Sequence, residues 1–152
     1  MARLVSFLRY GPRILSLLFM INLVLIELGE YEWKTYSQIH SDSEALANYL
    51  MAKDLVPKRD TEDGQIRFMA LYAKNREEWV VTDFACILSG VTVVTLYDTL
   101  GKDSLEYILD QTYIKTCVLS ADKLKNIAEL KKEGKLPLLT HVVYFDEVKP
   151  AD

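Results

Sequence analysis

Few side chains in this chain have a type and spacing that could do chemistry. Cys86 and Cys117 stand 31 positions apart, outside any CxxC pair, and only His40 and His141 could join them as metal ligands. That spacing argues against a zinc centre or a disulfide framework, and for two buried thiols in a reducing compartment. Neither histidine has a Ser or Cys partner close in sequence, so no imidazole-activated nucleophile is legible. His40 falls on the polar side of a helical pattern and His141 opens a strand, so solvated or structural roles are expected of both. No GxGxxG follows a strand, no GxxxxGKS/T loop occurs, and no Ser sits in a nucleophile elbow. Only six glycines are present, too few to line up free amides for phosphate. The nearest approach, Ser89-Gly90-Val91-Thr92, lacks both the glycine density and the lysine of a phosphate loop. Asp98 follows a strand, where open α/β sheets bind ligands. Yet Asp98-Thr99-Leu100-Gly101 also places Asp and Gly where a β-turn prefers them, and the turn is the stronger expectation.

The elements that would position such residues follow from periodicity. Tyr31, Trp33 and Thr35 alternate with Glu32, Lys34 and Tyr36, which predicts a half-buried strand. Thr35-x-x-Gln38 is a capping box, and Ile39, Ser43, Leu46 and Leu50 share one helical face behind it. Pro57 to Gln65 is a polar loop. Ile66 to Ala73 (IRFMALYA) is nearly continuous apolar, the pattern of a strand covered on both faces. Asn75 is placed to cap a second helix with Glu78 reaching back, Val80, Phe84, Ile87 and Leu88 buried, and Gly90 as its stop. Val91 to Tyr97 (VTVVTLY) is β-branched and predicts a central strand. Asp103-x-x-Glu106 then caps a third helix with Leu105, Ile108 and Leu109 inward. Thr116 to Leu119 is a short strand. Ser120 caps a fourth helix carrying Leu124, Ile127 and Leu130 and ending near Gly134, before a last strand from His141 to Phe145. Five strands alternating with four helices predict an α/β layer on a largely parallel sheet with right-handed crossovers. Trp33 and Trp79 are expected as core aromatics.

Half of the 152 residues are hydrophobic and 26% are charged, the balance of a globular chain of one domain, or one domain plus an appendage. The net charge is −4 and no long basic run occurs, which argues against a nucleic-acid partner. The charge is unevenly placed. Arg3, Arg9 and Arg13 are the only charged side chains before Glu27. The 15 other basic residues meet 22 acidic ones in the remainder, a balance of −7. Ile14 to Ile26 (ILSLLFMINLVLI) is an uncharged run of 13 residues, against about 17–25 for a bilayer span. Snorkelling by Glu27 and the arginine stems narrows that gap. A short membrane anchor is the favoured expectation. A cleaved signal peptide lacks an A-x-A site, a mitochondrial presequence would be amphipathic, and a buried core helix is the plainest alternative.

One set of segments is more specific than its composition. Asn75-Arg76-Glu77-Glu78-Trp79, then Ala85-Cys86, then Val94-Thr95-Leu96-Tyr97-Asp98-Thr99-Leu100-Gly101 resembles the long-chain fatty acyl-CoA synthetases of the adenylate-forming superfamily. Tyr31-Glu32-Trp33-Lys34-Thr35-Tyr36 is similar to the entry strand of their large domain. Lys132 to Pro137 and Val143 to Asp146 continue the likeness, which covers roughly residues 30 to 148.

The resemblance implies a Rossmann-like, AMP-binding type of large domain, here incomplete over residues 30–152, preceded by a hydrophobic N-terminal helix within the segment of residues 1–29. It implies a family reaction in which Mg-ATP activates a fatty acid to an acyl-adenylate and the acyl group passes to coenzyme A. The motifs responsible lie later in such chains: a Ser/Thr/Gly-rich phosphate loop, an adenine-contacting aromatic segment, a ribose-binding Asp and a Lys in a mobile C-terminal domain. None can be placed before Asp152, so no catalytic, cofactor-binding or metal residue is assigned, and no cofactor is expected in this chain. The expectation is a truncated ligase-like protein, inactive alone. It would be associated with an endoplasmic reticulum or mitochondrial membrane and completed by a protein partner or by the missing remainder. The alternative is a non-catalytic, membrane-anchored structural or accessory subunit of a larger assembly.

Overall fold

The structure is a computed structural model and describes residues 31–62 and 64–146. The first helix, α1 (Tyr36–Ala52), starts where the capping box puts it. The Gln38 amide donates to Thr35 Oγ1 at 3.2 Å, and the Thr35 amide donates to Gln38 Oε1 at 2.8 Å. These bonds satisfy two of the donors that a helix start leaves unpaired. Ser43, Leu46, Ala47 and Leu50 line its buried side.

A short antiparallel hairpin follows, β1 (Arg59–Thr61) and β2 (Gly64–Ile66), with Arg59 opposite Ile66. The Arg59 guanidinium lies 4.4 Å from the centre of the Tyr113 ring and ties the hairpin to the body. The main sheet then alternates with helices: β3 (Phe68–Tyr72), α2 (Glu77–Ser89), β4 (Thr92–Leu96), α3 (Lys102–Gln111), β5 (Thr116–Leu119), α4 (Ala121–Lys132) and β6 (His141–Tyr144). The strands lie in the order β4-β3-β5-β6, and every pairing in this sheet is parallel. The expected α/β architecture is therefore present, as a four-stranded parallel sheet with helices on both faces.

The two faces carry separate cores. Met69, Leu71 and Val118 face α1 and α2, where they meet Leu46, Ala47, Leu50, Val81, Ala85 and Cys86. Ala70, Tyr72, Cys117 and Leu119 face the other way, onto Leu105 and Leu109 of α3 and Ile127 and Leu130 of α4. Successive residues of β3 and β5 thus enter opposite cores, as the two-residue strand period requires, and both strands are covered on both sides.

Several expectations are corrected. Asn75 does not cap α2, whose cap position is Arg76, and α3 is capped at Gly101 rather than by Asp103; neither has a side-chain cap bond. Residues 31–35 form no strand, and Tyr31 and Trp33 are 92% and 90% exposed, so Trp33 is not a core aromatic. The loop at 57–65 folds back as the β1–β2 hairpin. β4 is an edge strand, and its β-branched residues face solvent at Thr92 and Thr95. On α2 the buried side is Glu78, Val81, Thr82, Ala85 and Cys86; Val80, Phe84, Ile87 and Leu88 lie on the exposed side. Small Ala85 and Cys86 let α2 sit close to α1, which the bulkier stripe would prevent. Gly90 does end α2 in the left-handed region, at φ 64, and the next amide, of Val91, donates to Cys86 O at 2.8 Å.

The uncharged run Ile14–Ile26 and the proposed N-terminal helix lie outside the described residues. Among the described residues, no helix is long and apolar enough to cross a membrane.

Candidate functional site at the carboxyl edge of the sheet

The chain leaves neighbouring strands β3 and β5 in opposite directions. After β3 it enters α2 on the first face; after β5 it enters α4 on the second. A parallel sheet opens a crevice at such a switch point, beyond the carboxyl ends of its strands. Arg76, Glu78, Ser120, Asp122, Lys123 and Asp146 gather there.

Arg76 organises the cluster. Its Nε and Nη2 donate to the two carboxylate oxygens of Glu78 at 2.7 and 2.9 Å. Its Nη1 and Nη2 donate to Asp146 at 3.1 and 2.9 Å, and its guanidinium lies 5.2 Å from the Phe145 ring centre. Asp146 also accepts from the Ala121 amide at 2.8 Å, so it occupies the first free donor of α4. Partial burial pushes the Asp146 carboxyl up. The Arg76 hydrogen bonds and the Ala121 amide outweigh that, and hold it below the ordinary carboxylate value. The hydrogen bond to Glu78, followed by the one to Asp146 and against some burial, raises the already high pKa of Arg76.

The second half of the cluster is equally self-contained. Ser120 Oγ donates to Asp122 at 2.5 Å. Lys123 is buried, donates to the Asp98 carbonyl at 3.2 Å, pairs with Asp122 at 3.3 Å, and lies 5.6 Å from the Tyr72 ring centre. The Tyr72 hydroxyl is met in turn by Asn126 Nδ2 at 3.3 Å. Burial raises the Asp122 carboxyl; the Ser120 and Lys123 hydrogen bonds bring it below the ordinary value.

The residues weighed from sequence are scattered. Asp98 does lie at the carboxyl end of β4, in the turn expected of it, and it meets the cluster through its backbone carbonyl. His40 and His141 are exposed on opposite ends of the order of elements, in α1 and β6. Cys86 and Cys117 are free and buried, one in each core. Burial, with Asp83 adding to it, pushes the Cys86 thiol up to about 12, and burial does the same to Cys117. Both are inert as nucleophiles at neutral pH. Ser89 Oγ donates back to Ala85 O at 2.6 Å, so Ser89 to Thr92 is a helix end leading into a strand. Among the described residues no group of carboxylates, thiols and imidazoles could hold a metal ion.

Periodicity missed Arg76, Lys123 and Asp146, because a strand-and-helix pattern does not say which loops meet. A signal was present all the same. Arg76 and Glu78 lie in the NREEW segment, and Asp146 closes the Val143 to Asp146 segment, two of the stretches singled out for their family likeness. A separate open groove of about 460 Å³ runs along α3, lined by Asp103, Glu106, Tyr107, Asp110, Gln111 and Tyr113. It offers carboxylates and phenols but no cationic side chain, so the carboxyl-edge cluster, which sets Arg76 and Lys123 among carboxylates, is the better candidate.

A family model described as AMP-binding enzyme matches residues 19–152. The long-chain-fatty-acid–CoA ligase 1 of Cavia porcellus is 37% identical over 119 residues, covering 76% of this chain and 16% of that protein. The long chain acyl-CoA synthetase 8 of Arabidopsis thaliana is 28% identical over 122 residues, covering 80% and 16%. The chain thus spans about a sixth of the length of these curated relatives. Among solved structures, a Mycobacterium tuberculosis fatty acyl CoA synthetase superposes with a TM-score of 0.63 at 19% identity, over 73% of this chain and 21% of that one. An anthranilate CoA ligase in complex with anthranoyl-AMP gives 0.60 at 23%, over 71% and 19%. At these identities the likeness to solved structures concerns the fold.

Proposed function

Since the chain belongs to the AMP-binding enzyme family, we propose that it is the first layer of a long-chain fatty acid–CoA ligase type of domain and does not form an acyl-adenylate alone. The observation that carries this reading is the pairing of Asp146 with Arg76 and with the Ala121 amide. The seat that the start of α4 would offer a phosphate is taken by the chain's own carboxylate. The Arg76 fork is engaged by two carboxylates, Glu78 and Asp146. Asp122 adds a further negative charge beside them. A nucleotide triphosphate would find the Arg76 fork and the Ala121 amide already engaged by carboxylates, so these residues do not fit Mg-ATP, and no step of adenylation is assigned to them. On this reading, ATP, magnesium and coenzyme A are handled by segments beyond this layer, in a partner or in later parts of such a domain.

The test is ATP–pyrophosphate exchange driven by a long-chain fatty acid, with the 152-residue chain purified alone. No exchange above a heat-treated control is expected. Exchange clearly above that control would overturn the proposal.

A further inference from the structure

The β1–β2 hairpin stands apart from the rest of the fold. Its two strands, three residues each, form a sheet of their own, separate from the four-stranded one. Asp60, Thr61, Gly64 and Gln65 are exposed, and no described hairpin residue enters either core. Gln65 donates to Asp60 at 3.0 Å and Thr61 to the Gly64 carbonyl at 2.7 Å, so these bonds stay inside the hairpin. A two-stranded hairpin without such cover is marginal in water. The ring contacts that reach from it to the rest of the fold are made by Arg59. Its guanidinium lies 4.4 Å from the Tyr113 ring centre and 5.8 Å from that of Phe68. We propose that this contact is a latch set near balance, and that the hairpin swings off Tyr113 and back while the main sheet stays closed.

Three observations carry this. First, closing the latch has opposed effects of similar size. An arginine over a partly exposed ring is stabilised modestly, and Tyr113 is 57% exposed. Closing also buries Arg59 Nε, which meets no acceptor. A buried donor left unpaired costs about as much as such a ring contact contributes, and opening returns that donor to water. Second, Tyr113 is a fixed post. It follows the end of α3 at φ 54, and its amide donates to Asp110 O at 3.0 Å. The next amide, of buried Ile114, donates to Leu109 O at 3.1 Å. The moving part is therefore the hairpin. Third, the swing has defined ends. Arg67 Nε donates to the Val56 carbonyl at 2.9 Å and clamps the two legs together. The Thr92 amide donates to the Arg67 carbonyl at 2.8 Å and fixes them to β4. Motion is confined to the residues between these clamps. Tyr113 is also a wall of the groove along α3, so the open hairpin adds the ring face under Arg59 to that groove.

A latch near balance and a plain anchor differ in what happens when Arg59 is replaced. Arg59→Met keeps an apolar stem on the two rings and has no donor to bury. Hydrogen–deuterium exchange of the 152-residue chain, read amide by amide by NMR, follows Arg59–Thr61 and Gly64–Ile66 against Phe68–Tyr72 of β3. In the wild type the hairpin amides are expected to exchange at least about tenfold faster than those of β3. Arg59→Met is expected to slow the hairpin amides about tenfold and leave β3 unchanged. In a Tyr113→Ala background, where the post is gone, the same substitution should have no such effect. The β3 and β5 amides report in each sample whether the variant is folded, and Arg59→Leu replaces Arg59→Met should the latter fail to fold. Hairpin amides as slow as those of β3 in the wild type would overturn the proposal, since the hairpin would then open only with the whole chain. Unchanged or faster hairpin exchange in Arg59→Met would make Arg59 a plain anchor and equally overturn it. So would slowing that persists without Tyr113.

Discussion

Arg76 and Asp146, 70 positions apart in sequence, are joined by two parallel hydrogen bonds of 3.1 and 2.9 Å. This fork-to-carboxylate pair locks the end of the last strand onto the start of α2, across the edge where a parallel sheet would otherwise open.

Unequal losses are expected from removing the two partners. Arg76→Ala leaves Glu78, which is only 9% exposed, without its bidentate donor, and also frees Asp146. Asp146→Asn keeps an acceptor for Ala121 and leaves the Arg76–Glu78 pair intact. Arg76→Ala should cost about 1–3 kcal/mol and Asp146→Asn less. Urea denaturation of both variants measures the difference, and equal midpoints would contradict this account.

The depressed carboxyls give stability a definite pH dependence. Asp146 and Asp122 bind a proton less tightly folded than unfolded. Their contribution is therefore present above the unfolded carboxylate value, about 3.9, and is lost as pH falls through the lower folded values. Wild type should lose stability below about pH 4 more steeply than Asp146→Asn, so that the two denaturation curves converge in acid. Parallel curves would show that Asp146 carries no such linkage.

Thiol chemistry should report unfolding and nothing else. Both cysteines are buried and shifted to about 12 by that burial. At pH 8 in native buffer neither should react with a disulfide reagent, and both should react at once in denaturant. Rapid stoichiometric reaction of the native chain would show that one core is open.

Two residues that look alike as helix caps should behave differently. Thr35 caps α1 through its side chain, so Thr35→Ala should cost about 1 kcal/mol. Ser120 sits at the cap position of α4 without a side-chain cap bond, its hydroxyl going to Asp122 instead. Ser120→Ala should therefore cost less than Thr35→Ala in thermal denaturation, and the reverse order would contradict the capping assignment.

What was legible in the sequence was set by neighbours along the chain, although the β1–β2 hairpin and the caps of α2 and α3 escaped it. The Thr35–Gln38 box, the stop at Gly90, the inward faces of α1, α3 and α4, and the doubly buried β3 all depend on contacts a few residues apart, and each is where periodicity put it. The family segments were legible too, as order and spacing of residue types. What only the tertiary structure decided is which surface meets which. α2 has an apolar residue set on each side, and a helical period cannot rank Val80, Phe84, Ile87 and Leu88 against Val81, Ala85 and Cys86. The close approach of α1 chose the smaller set. β4 has the β-branched content of a central strand, but its place at the edge follows from the crossover that takes β5 to the far side of β3. Arg76 and Asp146 became partners for the same reason. Parallel strands bring distant loops to one edge, and the energy that joins them depends on distance in space, which local sequence does not encode.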